Sequence, residues 1–169
     1  VFSPTRMLSG GGNTPTVVNT IDFVKFATTG NSTDFGDLSA VRTGASGISS
    51  STRGVFAGGA TPTIVNTVDY VTIASEGNAI DYGDLTVARH FGGGISNSVR
   101  GVVESGTGSP ANVNTIDYFT IAVGGTAVDF GDAVASRGNI GSVSNAHGGL
   151  NDGYQGTRIA PIPQGVGAG

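Results

Sequence analysis

The chain alternates short apolar segments, rich in β-branched residues, with clusters of Gly, Asn, Asp, Ser and Pro. It shows no helical stripe of Leu, Ala, Glu and Lys. Residues 67–74 read Thr-Val-Asp-Tyr-Val-Thr-Ile-Ala, a composition typical of a β-strand. Around this segment the pattern predicts four strands, at residues 53–58, 66–75, 78–86 and 89–96.

The second of these predicted strands is apolar on both faces. Val68, Tyr70 and Ala74 alternate with Val71 and Ile73. A strand that is buried on both faces implies sheets stacked between neighbouring sheets. The glycines of the first and fourth strands indicate that the backbone approaches its surroundings closely there.

The same pattern occurs three times, at offsets of 47 and 48 residues. Asn19-Thr20-Ile21-Asp22-Phe23 returns at residues 66–70 and 114–118. An Asp-(Phe/Tyr)-Gly-Asp segment follows it in each copy. Such a period is the signature of a repeat architecture. We therefore expect a repeat domain at 1–153, with units at 3–49, 50–96, 97–144 and a partial unit at 145–153, then a Gly/Pro-rich tail at 154–169.

Units of 40–50 residues with four strands each are typical of β-propeller blades. A propeller normally has four to eight blades, so three units do not close a ring. We expect a longer chain or the association of several chains to complete it. A pseudo-threefold β-trefoil or β-prism is the alternative all-β fold.

Composition and charge exclude several classes of protein. Glycine accounts for 30 of 169 residues without an every-third period, which excludes collagen. The net charge of −4 gives no basic surface for nucleic acid. Cysteine is absent, which excludes disulfides, thiolate zinc sites and a cysteine nucleophile. No apolar run approaches the roughly 18 residues that cross a bilayer, so we expect no membrane partner.

The few charges fall on repeat positions. Of 12 acidic residues nine recur in all units, and of eight basic residues six do. Asp69 lies on an apolar strand, so it needs a partner: an Arg of its own or the adjacent unit, or backbone N–H groups of a turn. The pattern predicts a structural role for Asp22, Asp69, Asp117, Arg42, Arg89, Arg137, Arg6, Arg53 and Arg100.

The Asp-(Phe/Tyr)-Gly-Asp segments have two interpretations. In one, each is a turn whose first Asp accepts a backbone hydrogen bond, whose Gly takes a positive φ and whose aromatic ring packs between units. In the other, the paired carboxylates contribute to a calcium site. We expect no cofactor, with calcium as the alternative at Asp34, Asp37, Asp81, Asp84, Asp129 and Asp132.

Features of an enzyme are sparse. His90 and His147 are the two histidines, and both lie outside the repeat pattern. The glutamates, Glu76 and Glu104, fall in predicted loops. No Gly-x-Ser-x-Gly segment marks a nucleophile, and Gly92-Gly93-Gly94 lacks the Lys-Ser/Thr of a phosphate-binding loop. We therefore expect a protein that is not an enzyme.

The repeat resembles kelch-type β-propeller blades. The resemblance rests on Val55-Phe56-Ala57-Gly58-Gly59, on the aromatic Tyr70, and on Arg89 before the next glycine-rich strand. The chain departs from the kelch pattern in having no tryptophan, and unit three has Ser105-Gly106 in place of the glycine pair. The motifs Thr-Arg-Gly-Val-Phe-x-Gly-Gly at 52–59, Val-Asn-Thr-x-Asp-Tyr-Val-Thr-Ile-Ala at 65–74 and Asp-Tyr-Gly-Asp-Leu-Thr-x-Ala-Arg at 81–89 are also similar to repeats in structural proteins of marine tailed phages, especially cyanophages. That resemblance covers residues 3–153.

The resemblance implies a function in the virion. We expect a non-enzymatic tail-fibre or surface-spike module, at the virion surface or outside the cell, whose loops serve host attachment as an adhesin. Its partners would be other virion proteins, further copies of itself, or a glycan or protein of the host surface. The alternative is a stand-alone carbohydrate-binding lectin that uses Tyr70, Tyr82 and Tyr118.

Overall fold

The structure is a computed structural model that describes Val1 and residues 5–143. The predicted partial unit at 145–153, the tail at 154–169 and His147 lie outside the described residues. Eleven strands and no helix occur in the described part, so the prediction of an all-β protein is confirmed. The strands are β1 Arg6–Thr14, β2 Thr16–Lys25, β3 Thr33–Asp37, β4 Ser46–Ser49, β5 Arg53–Thr61, β6 Thr63–Thr72, β7 Ile80–Asp84, β8 Gly93–Ser96, β9 Arg100–Thr107, β10 Asn112–Thr120 and β11 Val128–Asp132.

The strands form three antiparallel sheets in which chain neighbours pair. Sheet 1 has the order β1-β2-β3, sheet 2 the order β4-β5-β6-β7, and sheet 3 the order β11-β10-β9-β8. In sheet 2, Phe56 on β5 lies opposite Asp69 on β6, and Asp69 lies opposite Asp81 on β7. The long middle strands therefore carry the repeated Asp at the centre of their sheets.

All four strands predicted for unit two are present, but the assignment of the fourth to its own unit is wrong. β8 pairs with β9, the first strand of the next unit. The segment after β7 leaves sheet 2 through the buried Leu85 and Arg89 and so delivers β8 to sheet 3. Sheets 2 and 3 therefore each receive their first strand from the preceding sequence repeat.

The core consists of side chains packed between successive sheets, as the doubly apolar second strand predicts. One cluster joins sheets 1 and 2, and the other joins sheets 2 and 3. The first contains Leu8, Ile21, Phe23, Phe35, Leu38, Phe56, Val71 and Ile73. The second contains Ile48, Val55, Ala57, Val68, Tyr82, Leu85, Val103, Phe119, Ile121 and Ala127.

Gly58 and Gly59, near the end of β5, form a bulge. The β5–β6 register shifts between Ala57 and Gly59, and Gly58 has a φ of 67°. A β-carbon at Gly58 would collide with the carbonyl oxygen of Arg89, so only glycine fits. Ser105 occupies the equivalent position in sheet 3 with a φ of 53° and is fully buried.

Candidate functional site

Two buried ion pairs join the sheets. Arg42, after β3, pairs with Asp69 on β6, and both side chains are at most 1% exposed. Arg89, after β7, pairs with Asp117 on β10 at 2.7 Å, with the same burial. Each pair links an Arg of one unit to the Asp of the next, so the ion pairs lie across the sheet interfaces.

Further donors saturate each carboxylate. The Ser39 backbone N–H donates to Asp69 Oδ2 at 2.9 Å, and its hydroxyl donates to Oδ1 at 2.8 Å. Thr86 repeats this at Asp117, with distances of 3.0 Å and 2.6 Å. These carboxylates are therefore fully engaged and are not available as a general base or a metal ligand.

The guanidinium groups bind backbone carbonyls as well. Arg42 donates to the carbonyls of Gly58 at 3.2 Å and Thr67 at 3.0 Å. Arg89 donates to Val103 O at 3.2 Å, in addition to Asp117. Burial lowers the pKa of Arg89, and the charge of Asp117 opposes that shift. Both partners left open by the sequence, an Arg of the adjacent unit and backbone N–H groups, thus bind each Asp.

The remaining Asp and Arg at these repeat positions, Asp22 and Arg137, have no ion-pair partner among the described residues. Asp22, on β2, is partly exposed on sheet 1, and Arg137 is exposed beyond β11. Among the described residues neither takes part in an ion pair. The reason is geometric: Asp22 would need an Arg from a sheet before sheet 1, and Arg137 an Asp from a sheet after sheet 3.

The second set of repeated arginines stacks on aromatic rings. Arg6, Arg53 and Arg100 lie 4.8, 4.6 and 4.9 Å above the rings of Phe23, Tyr70 and Tyr118. The first two also reach the next sheet. Arg6 donates to the carbonyl of Ile73 at 3.1 Å, and Arg53 to that of Ile121 at 2.9 Å. These arginines therefore add a second polar link to each interface.

The Asp-(Phe/Tyr)-Gly-Asp segments lie within strands β3, β7 and β11, at a bulge against the middle strand, and do not connect strands as separate turns. The local hydrogen bond and the positive φ of the first interpretation are nevertheless present. In each, Oδ1 of the first Asp accepts the N–H of the glycine, at 3.1 Å for Asp34 and Asp81 and 2.9 Å for Asp129. The glycines have φ between 137° and 145°. The described residues contain no cluster of three or more side chains suited to hold a metal. The second aspartate of each segment is partly exposed at Asp37 and exposed at Asp84 and Asp132.

The aromatic ring of each Asp-(Phe/Tyr)-Gly-Asp segment packs against the following sheet where the described residues include one. Phe35 is 3% and Tyr82 8% exposed, whereas Phe130 is 59% exposed. The Tyr82 hydroxyl donates to the carbonyls of Thr120 and Ile121. Burial raises its pKa, and the neighbouring Arg53 opposes this shift. Tyr82 is thus a structural contact, and its predicted use as a sugar-binding ring is wrong because the ring is covered.

Two loop cavities lie at equivalent positions of successive units, and sequence reasoning missed them. The cavity between β2 and β3 measures about 200 Å³ and is lined by Phe23, Lys25, Thr28 and Asn31, among others. The cavity between β6 and β7 measures about 130 Å³. Its lining includes Tyr70, Thr72, Ser75, Glu76 and Asn78. The recurrence of a polar loop after the second strand was the available signal.

The candidate enzymatic residues stand apart from these features. The backbone of His90 pairs with Thr107, and its ring stacks on Phe91 with centroids 4.4 Å apart. Glu76 approaches Arg6 at 3.8 Å. Glu104 lies half-buried on β9, so its prediction as a loop residue is wrong. None of these contacts resembles an activated nucleophile or a paired acid and base.

Comparison with protein-family models and with curated proteins found no match for this chain. Since the described residues contain no helix, no element there meets the length and hydropathy of a membrane-spanning helix.

Proposed function

We propose that the three sheets are successive blades of a kelch-like β-propeller. The sheets stack face to face, and the first strands of sheets 2 and 3 lie side by side. The Ser96 hydroxyl on β8 donates to Ser49 O on β4 at 2.6 Å, and the Ser46 hydroxyl donates to Gly92 O at 2.9 Å. Short, glycine- and serine-rich strands in mutual contact suit a crowded propeller axis. Further sheets, from a longer chain or from other copies, would complete the ring.

We further propose that this module is a non-enzymatic part of a phage virion, a tail fibre or surface spike, that presents loops to the host surface. The observation that carries the proposal is the repeated loop cavity on a frame whose buried Arg–Asp pairs are engaged between sheets. Loops that vary on a rigid repeat frame are well suited to recognition. Lys25 in one cavity is replaced by Thr72 in the next, and Thr29 by Glu76, so each cavity has its own charge.

A stand-alone lectin is the second candidate function, and the Tyr70 cavity favours it. An aromatic ring beside hydroxyl and amide groups is the usual surface for a sugar, because the ring covers the apolar face of the sugar and the polar groups bind its hydroxyls. Tyr118 holds the equivalent position in sheet 3, half-buried beneath Arg100.

Binding to whole cells and to sugars tests both functions. The labelled chain is applied to a panel of marine cyanobacteria and to an array of free glycans. Thr28→Arg and Ser75→Arg fill the two cavities, and Ser98→Arg, on an exposed loop outside them, is the matched control. We expect cell binding that the cavity variants abolish and the control retains.

The outcomes separate the candidates. Micromolar binding to one free sugar, without a preference for any cell, would favour the lectin. Cell binding that survives both cavity variants would refute the role of these loops.

A further inference from the structure

Among the described residues, the first and the last sheet each carry one face whose equivalents inside the stack are covered. The trailing face of a sheet is the one turned toward the next sheet along the chain, and the leading face is the opposite one. Beside β8, the trailing face of sheet 3 is covered by Ile140 and Ser142, which lie against Gly93. Its remaining part comprises Val102, Glu104, Tyr118, Phe130 and Arg137, and the equivalent residues of sheets 1 and 2 contact the following sheet. Phe130 illustrates the difference, since it is 59% exposed where Phe35 and Tyr82 are at most 8% exposed. The leading face of sheet 1 comprises Met7, Ser9, Asp22, Val24 and Phe26, and Phe26 is 58% exposed.

One charge on each of these two faces, Arg137 on the trailing face and Asp22 on the leading face, is complementary to the other. Both internal interfaces place an Arg of the trailing face on an Asp of the leading face: Arg42 on Asp69, and Arg89 on Asp117. Continuing the repeat assigns Arg137 to the trailing face and Asp22 to the leading face. A face with an exposed cation thus meets one with a partly exposed carboxylate, in the register that the protein already uses twice.

The backbone groups are complementary too. The carbonyl of Phe35 accepts the N–H of Gly77 at 2.8 Å, and the carbonyl of Tyr82 accepts that of Gly125 at 2.8 Å. The corresponding groups on the free faces are the carbonyl of Phe130 and the N–H of Gly30. An acceptor on one free face therefore matches a donor on the other.

Side-chain size changes in a compensating way along the stack. Gly10 lies beneath Phe56. A β-carbon on Gly10 would stand 2.9 Å from the Phe56 ring. At the next interface the equivalent pair is Ala57 with Val103. On the free faces it is Glu104 with Ser9. As the trailing residue grows from Gly to Ala to Glu, the leading residue shrinks from Phe to Val to Ser, and the last pair is polar on both sides.

Two positions differ from the internal interfaces and weaken the fit. Val134 replaces the Ser39 and Thr86 hydroxyls that bind the buried carboxylates. Met7 replaces Gly54 and Gly101, where the preceding part of the chain approaches closely. The flexible Met side chain can bend away, so the contact is weaker than those within the chain and reversible.

We propose that a second copy of this chain docks head to tail, its leading face on the trailing face of the first. With the three described sheets of each chain, two such contacts would close a ring of six sheets, within the usual range for propellers. This inference rests on the propeller part of the proposed function. It is independent of host binding, which the cavity variants test separately.

Charge reversal at the two free faces tests the docking. Light scattering of the full chain should give twice the mass of one chain. Asp22→Arg and Arg137→Asp should each lower the dimer affinity at least about tenfold, because like charges then face each other at both contacts. Asp84→Arg, an exposed position in the central sheet, is the matched control and should leave the dimer intact.

Mixing the two reversed variants gives the decisive measurement. In a mixed pair, one contact joins the two substituted positions, where a cation and a carboxylate face each other with their places exchanged. The other contact keeps the original Arg137 and Asp22. The 1:1 mixture should therefore recover the dimer mass although neither variant does so alone.

Three results decide the proposal. A monomeric parent chain would overturn it, and so would a dimer that both reversals leave intact. Failure of the 1:1 mixture to recover the dimer would show that the two positions do not meet. Circular dichroism of each variant establishes that a lost dimer is not a lost fold.

Discussion

Replacing Asp69 with alanine should destabilise the protein more than any single loss of an exposed or half-buried acidic side chain. The carboxylate is fully buried and accepts bonds from Arg42 and Ser39. Its removal leaves the Arg42 guanidinium, 1% exposed, without its counter-ion. Water cannot replace the lost partner without opening the interface between sheets 1 and 2.

The cost follows from the burial. Removing one member of a buried ion pair typically costs about 3–5 kcal/mol, since the other charge stays desolvated. A domain of this size loses about 2–4 °C of melting temperature per kcal/mol, so we expect a decrease of roughly 6–20 °C. Removing both charges, as Arg42→Met with Asp69→Ala, should cost less than Asp69→Ala alone because no unpaired charge remains.

Urea unfolding followed by far-ultraviolet circular dichroism measures these differences. Asp22→Ala is the matched control, since Asp22 holds the same repeat position without an ion-pair partner among the described residues. All variants are made in a chain that carries Arg137→Asp, so that docking of copies plays no part. We expect Asp22→Ala to cost under about 0.5 kcal/mol. Equal costs for Asp69→Ala and Asp22→Ala would refute the reasoning.

Three further predictions use particular positions of the repeat. Ser105→Gly should raise the free energy of unfolding by about 1 kcal/mol, because it relieves a positive φ and removes a buried hydroxyl without a partner, and a lower melting temperature in thermal unfolding would contradict this. In the Arg137→Asp chain, Gly83→Ala should cost more than Gly131→Ala in urea unfolding. The two φ values are 138° and 137°, but only the β-carbon at Gly83 meets the next sheet, 2.5 Å from the Gly125 backbone. The raised pKa of Tyr82 predicts that stability present below about pH 10 is lost as the pH rises through the folded-state pKa. Urea unfolding against pH checks this, and Tyr82→Phe should remove that component.

The sequence was sufficient for the fold class and for the chemistry of the buried charges. β-Branched segments between turn residues indicate strands whatever their surroundings. An Asp in a doubly apolar strand such as Asp69 requires a partner, and arginine was the available cation at a fixed repeat position. The sequence did not show whether Asp69 pairs with Arg42 of the preceding unit or with Arg89 of its own unit. Every unit repeats both residues, so pairing within units and pairing between units are equally compatible with the sequence.

The sheet membership of β8 could not be obtained from local pattern. Gly93-Gly94-Ile95-Ser96 has few side chains that distinguish one face from the other, so it fits the edge of either sheet. The choice is made by long-range contacts, the burial of Leu85 and Arg89 and the bridge between His90 and Thr107, which carry the chain to sheet 3. The loop cavities are long-range features in the same sense, because each depends on how a loop folds over its neighbouring strands.

A sequence unit shares both a strand and an ion pair with the sheet that follows it, and the two links have a common consequence. The second unit gives its last strand to the next sheet and its Arg to the next Asp, as Arg89 does with Asp117. A cut between sequence units therefore deprives one sheet of its first strand and one interface of its cation. Stability is shared between neighbours, in the manner of stacked repeats whose interfaces carry much of the folding energy. The buried pairs Arg42–Asp69 and Arg89–Asp117 are committed to these interfaces. The loops, by contrast, vary between units, since Lys25 and Glu76 differ from the equivalent residues of the neighbouring unit, which is why we assign recognition to them in the proposed function.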